Sequence, residues 1–232
     1  MLKKEKRPYT TAIILGGGSG RRMNTAITKQ RMTLGGVSVL KRSVLAFEKC
    51  GDITDIIVVV RSDEVEFFNS ELKDVTKLKA VCIGGDSRPE SAECGFMLVD
   101  KECEYVAIHD AARPLIRPED ISRVLNVAKE KGAAIAASPV YDTVKAVDCE
   151  GKVTATPKRQ ALVRATTPQI FEYGIYRQAI NSDMDLSDIT DDSMMVERLG
   201  KEVYAVVLEN ENPKITTKDD ISVLELLLNG EK

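Results

Sequence analysis

The chain has 232 residues, 43% hydrophobic and 30% charged, and a net charge of −3, which suits one large α/β domain with a full core. That balance argues against a nucleic-acid or anionic-membrane surface as the main partner and leaves room only for a local basic cleft. Five scattered cysteines, Cys50, Cys82, Cys94, Cys103 and Cys149, include no C-x-x-C pair, so neither a disulfide framework nor a zinc site is expected.

The start MLKKEKRPYT is basic, but the apolar run after it breaks at Gly16. That is too short for a signal sequence, and no stretch approaches a membrane span, so a cytoplasmic location is expected. The run TAIIL (11–15) reads as a strand, and it breaks into AIILGGGSGRRM (12–23), four glycines followed by Arg21 and Arg22. Backbone N–H groups without side-chain cover approach anionic oxygens closely, so such a loop points to a phosphate. It is not a P-loop, because Gly20 is followed by arginines rather than Lys-Ser/Thr. Nor is it the dinucleotide fingerprint, since Arg21 or Met23 stands where the third glycine belongs. A solvated surface loop is the bland alternative. A third cation, Lys29, follows within a few residues.

Further along, VSVLKRSVLAFEKC (37–50) has helical spacing, and DIIVVV (55–60) and KAVCI (79–83) read as buried strands. The strand YVAIHD (105–110) ends in Asp110, which places a carboxylate on the carboxyl edge where open parallel sheets bind ligands. Facing a loop that holds a triphosphate, a lone carboxylate is where Mg²⁺ belongs, because that ion takes one or two carboxylates plus phosphate oxygens. His109 is the only histidine, and it reads as structural. A helix over 118–132, a strand over 133–140, a helix over 190–200, a strand over 203–208 and a closing helix over 216–228 capped by Thr216 or Thr217 complete the alternation. Between about 139 and 168 apolar and polar residues alternate around DCEGK (148–152), which predicts a β-hairpin arm leaving the sheet. The expected architecture is a single domain over 1–232, a three-layer α/β fold with a mostly parallel sheet.

The blocks LGGGSGRRM, KQ (29–30), LGGVSVL (34–40), GGDSRPES (84–91), HDAARP (109–114), DTVK (142–145), TTPQIF (166–171), TDDS (190–193) and PKITTKDDI (213–221) stand in the order and spacing of the 2-C-methyl-D-erythritol 4-phosphate cytidylyltransferases. The chain resembles that family along nearly its whole length. The resemblance implies a Rossmann-like nucleotidyltransferase fold and, in isoprene biosynthesis, transfer of CMP from CTP to a sugar-alcohol phosphate with Mg²⁺ and release of pyrophosphate. It also implies a homodimer clasped through the β-arm. Carried over by residue, it places Gly16, Gly17 and Gly18 around the nucleotide, with Arg22 and Lys29 on the triphosphate. Gly85, Asp86 and Ser91 fall at the cytosine with Arg88 among them, Asp110 on Mg²⁺ and Ala111 beside the ribose. Thr143 and Arg159 of the arm fall on the methylerythritol phosphate, and Lys214 near the reacting phosphates. Thr28 stands where the family commonly has proline before the lysine, Arg31 where an aromatic follows the glutamine, and Pro213 where isoleucine is common. Two alternatives are a ribitol 5-phosphate cytidylyltransferase, favoured less because HDAARP carries Ala112, and a non-catalytic nucleotide-sensing domain, favoured less because Lys29, Asp110 and Lys214 are all present.

Overall fold

Uninterrupted aliphatic runs form strands buried on both faces when helices cover a sheet from either side. A computed structural model describes residues 8–18, 27–186, 188–210, 212–217 and 219–230. In chain order the elements are β1 (Thr10–Leu15), β2 (Thr33–Leu34), β3 (Val37–Ser38), α1 (Val39–Lys49), β4 (Asp55–Val60), α2 (Val65–Glu71), β5 (Leu78–Ile83), α3 (Arg88–Phe96), β6 (Tyr105–Asp110), α4 (Pro118–Lys131), β7 (Ala133–Pro139), β8 (Ala146–Val147), β9 (Val153–Ala155), β10 (Val163–Glu172), α5 (Tyr173–Ile180), α6 (Asp192–Arg198), β11 (Tyr204–Val207) and α7 (Asp219–Gly230).

Seven strands form one sheet in the order β11-β7-β10-β6-β1-β4-β5. Every neighbouring pair is parallel except the two made by β10, which runs antiparallel to β6 and β7. Successive residues of each strand feed opposite layers. Ala12, Ile14, Ile56 and Val58 pack with α1, α2 and α4 through Leu40, Phe47, Phe68 and Leu125. Ile13, Leu15, Ile57 and Val59 pack with α3, α5 and α6 through Phe96, Tyr176 and Met195. Burying one such side chain stabilises the fold by about 1.5–3 kcal/mol, so the double-sided pattern of β1 holds the strand that carries the glycine loop. A smaller cluster of Leu34, Val39, Ala112, Ile215 and Leu224 seats α7 against the β2–β3 hairpin. At the start of α7, Asp220 accepts the Thr216 and Thr217 N–H groups at 2.7 and 2.8 Å, so its carboxylate fastens the backbone that leads into the helix.

The arm departs from the hairpin expected over 139–168. Its own pairing is confined to β8 and β9, and residues 163–168 belong to the main sheet, with Val163 opposite Pro139 and Ala165 opposite Ala137. The alternating pattern is the same for an arm strand and a sheet strand, and only the continuation of this pairing along β7, with β6 joining from Gln169, distinguishes them. All five cysteines are free. Among the described residues no helix is long and apolar enough to cross a membrane.

Candidate active site

At the carboxyl edge of β1, β4, β5 and β6 lies a cleft of about 840 Å³. Its floor begins where β1 runs out. The Gly16 N–H donates to the Val59 carbonyl at 2.6 Å, and a Cβ there would stand 2.7 Å from Leu40 Cδ1 and 3.2 Å from the Val59 carbonyl. Glycine lets the chain turn off the strand this close to the core without displacing Leu40. A second wall comes from the loop between β5 and α3. Ser87 caps α3 in a capping box with Glu90, and the Glu90 carboxylate also accepts the Asp86 N–H at 2.8 Å. The Ser91 hydroxyl donates to the Ser87 carbonyl at 2.9 Å. A Cβ on Gly85 would meet Glu90 Cβ at 2.4 Å, so this loop closes over the helix start only as glycine.

The electrostatic centre is Asp110, at the end of β6. Lys214 Nζ donates to its Oδ2 at 2.6 Å and Arg88 Nε to its Oδ1 at 3.2 Å. Burial pushes this carboxyl up, but Arg88 and then Lys214 outweigh it and hold it far below the ordinary carboxylate range, so it is ionised at any working pH. Arg88 is shared: its Nη1 donates to Asp192 Oδ2 at 2.5 Å. Burial pulls the guanidinium pKa down, while Asp192 and Asp110 together drive it higher. Lys214 reaches Asp110 because the Ile215 N–H donates to the Ala112 carbonyl at 2.9 Å. On the same edge Lys29 Nζ donates to the Ile215 carbonyl at 3.3 Å. Thus Lys214 and Arg88 meet on one carboxylate with Lys29 along the same cleft edge, a concentration of cations suited to a polyanion.

His109 lies beneath this centre with no exposed surface. Its Nε2–H donates to the Arg113 carbonyl at 3.2 Å. Its Nδ1 accepts from the Thr167 hydroxyl at 3.0 Å, and Thr167 Oγ1 in turn accepts the Asp110 N–H at 3.1 Å. Burial lowers its pKa to about 4, so the ring is neutral and acts as a spacer that fixes Asp110.

Gly17, Gly18, Lys29, Gly85, Asp86, Arg88, Ser91, Asp110 and Lys214 all line the cleft. Gly16 lies just below it. Arg22 falls outside the described residues. Ala111, expected beside the ribose, is wholly buried, and the next residue, Ala112, lines the cleft. The Ala111 N–H donates to the Leu15 carbonyl at 2.9 Å, which continues the β6 ladder and turns its side chain into the core. Thr143 and Arg159 do not reach this cleft from their own chain. Both are exposed, and Arg159 Nη1 donates to the Tyr141 carbonyl at 2.6 Å. Arg61, Ser62 and Thr216 also line the cleft, unmarked by any spacing in the sequence.

Among the described residues no group of three or more His, Cys, Asp or Glu side chains could hold a metal. The donor set still fits Mg²⁺, because an ionised carboxylate facing a nucleotide-sized cleft needs only substrate oxygens and water to complete the ion's shell. Asp110 Oδ2 is held by Lys214, whose side chain is 36% exposed, so that oxygen would become a ligand only as the lysine moves off it.

The profile of the 2-C-methyl-D-erythritol 4-phosphate cytidylyltransferase family (IspD) matches residues 10–230. Proteins of that name from Clostridioides difficile (strain 630) and Endomicrobium trichonymphae are 38% and 40% identical to this chain, covering 96% and 94% of it and 94% and 97% of their own length. The crystal structure of the 4-diphosphocytidyl-2C-methyl-D-erythritol synthase of Anaerococcus prevotii DSM 20548 is similar at a TM-score of 0.83, with 29% identity and 96% of each chain covered.

Proposed function

Because the chain belongs to the 2-C-methyl-D-erythritol 4-phosphate cytidylyltransferase family, we propose that this cleft transfers the cytidylyl group of CTP to 2-C-methyl-D-erythritol 4-phosphate. The observation that carries the reading is one cleft beside the glycine turn in which Lys214 and Arg88 hold Asp110 and Lys29 lines the same edge through the Ile215 carbonyl. An oxygen of the sugar-alcohol phosphate attacks the α-phosphorus of CTP in line, the α–β bridging bond breaks, and pyrophosphate leaves with the electron pair. Charge builds on non-bridging and leaving oxygens, so fixed cations are the main requirement. Lys29, on the glycine-loop side, stabilises the leaving phosphates with Arg22, and Lys214 turns from Asp110 towards the attacked phosphate. A phosphate monoester is largely ionised near neutral pH, so no strong general base is needed, in keeping with a neutral, buried His109. Mg²⁺ on Asp110 would supply further charge neutralisation at the phosphates. The Gly85–Asp86 turn, fixed by Glu90 and Ser91, reads the cytosine edge.

The arm completes the assembly as a homodimer. Exposed Tyr141, Val144, Val147 and Val153 give it an apolar surface unusual for a projecting ribbon, and a two-stranded hairpin is marginal without a partner. Thr143 and Arg159 then serve the neighbouring subunit's cleft. The test is incubation of the purified protein with CTP, Mg²⁺ and, in separate reactions, methylerythritol phosphate or ribitol 5-phosphate, with pyrophosphate as readout. Release with methylerythritol phosphate alone is expected, and release only with ribitol phosphate overturns the assignment.

A further inference from the structure

Asp192 is a carboxylate that the reaction above does not use, yet it is wholly buried. Burying a charge is costly unless it is fully paired, and here both oxygens are taken. Arg88 Nη1 donates to Oδ2 at 2.5 Å and the Tyr176 hydroxyl donates to Oδ1 at 2.6 Å. Nothing around it can give way. Tyr176 is stacked on Phe171, centroids 5.2 Å apart, and set edge-on to Phe96 at 5.3 Å. The first turn of α6 is tied to β10, because the Ser193 N–H donates to Gln169 Oε1 and Gln169 Nε2 donates to Asp191 Oδ2, both at 2.9 Å.

The consequence falls on the far end of Arg88. A guanidinium beside a carboxylate gains most when two N–H groups meet both oxygens. Arg88 instead gives Asp110 one longer contact of 3.2 Å, because its other arm is held by an anion that cannot move. We propose that Asp192 is a positioning residue for Asp110: it restrains Arg88 and prevents a two-point grip on Asp110, so that Oδ2 is held by Lys214 alone and passes to a divalent cation when that lysine turns to the phosphates. Tyr176 contributes by fixing Asp192. The inference rests on the reading that Asp110 carries the cation.

The test measures Mn²⁺ bound to the CTP-loaded protein, without the second substrate, from the loss of the free-ion EPR signal. Asp192→Asn removes the charge at almost constant shape, and it is expected to weaken Mn²⁺ binding by roughly tenfold, the usual scale for an outer-shell partner. CTP binding in EDTA, followed by calorimetry, is expected to be retained. Tyr176→Phe, which deletes one hydroxyl, shifts Mn²⁺ binding the same way by less, and it serves if the Asn variant does not fold. In an Arg88→Gln background the Asp192 substitution is expected to have no further effect on Mn²⁺, since the path runs through Arg88. Unchanged Mn²⁺ binding in both Asp192→Asn and Tyr176→Phe overturns the inference, provided Asp110→Asn abolishes it. Equal loss of Mn²⁺ and metal-free CTP binding also overturns it, as a structural effect. If Asp110→Asn itself binds Mn²⁺ normally, the cation reading fails and the inference falls with it.

Discussion

His109 and Asp110 are neighbours in sequence with opposite demands on the medium: one is buried to stay neutral, the other is paired to stay charged. A histidine whose pKa falls from 6.5 to about 4 on folding contributes stability that is complete above 6.5 and is lost as pH drops through 4. The whole effect is on the order of 3 kcal/mol. Asp110 acts the same way only below the ordinary carboxylate range, and buried Glu64, whose pKa burial raises, acts in the opposite sense. Urea unfolding between pH 7 and 4 is expected to show falling stability in the wild type and a flatter profile in His109→Asn. At the reacting phosphates, Lys29→Ala is expected to lower turnover by about 100-fold or more with the melting temperature unchanged, since a single preorganised group is commonly worth ~3–4 kcal/mol. Turnover within about threefold of wild type would remove Lys29 from the chemistry. At this scale the sequence marked Lys29, Asp110 and Lys214 because each sits in a compact block. It missed the tie of Asp192 to Arg88 across 104 positions.

The element that presents the base-side loop is α3, and its start depends on reciprocal capping by Ser87 and Glu90. Ser87→Ala is expected to cost about 1 kcal/mol in denaturant unfolding and to weaken CTP binding in calorimetry, because the Asp86 turn loses its support. Gly85→Ala is expected to weaken CTP more than Ser87→Ala does, since its Cβ collides with Glu90. The reverse order would place the base elsewhere. Six strands were readable as apolar runs because parallel strands between helix layers need no alternation. Helices α2, α3 and α5 were not singled out. They are short, 7, 9 and 8 residues, and α3 carries a Pro, a Gly and a polar first turn that blur helical spacing. Strand β10 was hidden for a different reason, as TTPQIF carries a proline that argues against a central strand. The irregularity between Ala165 and Gln169 accommodates it.

For the whole molecule, the distance of Arg159 from its own cleft makes the shared-site dimer testable. Lys29→Ala and Arg159→Ala are each expected to be nearly inactive alone, but mixed dimers hold one site with an intact core and an intact arm. Random exchange makes about half the dimers mixed, so roughly a quarter of wild-type activity should return. No recovery, with exchange verified by mass labelling, would confine Arg159 to its own chain. Beyond the dimer, β10 gives the arm a root unlike its tip. Residues 148–152 are exposed, with Gly151 at φ 83° and nothing within 4 Å of a Cβ there, so added residues at the tip disturb no packed neighbour of their own chain. From Val163 onward the count is fixed, because Thr167 must meet His109 and Asp110 while Ile170 and Phe171 face opposite layers. One residue gained or lost there turns every later side chain to the wrong face. Tolerance to insertion therefore ends abruptly at the sheet, and lengthening is confined to the tip.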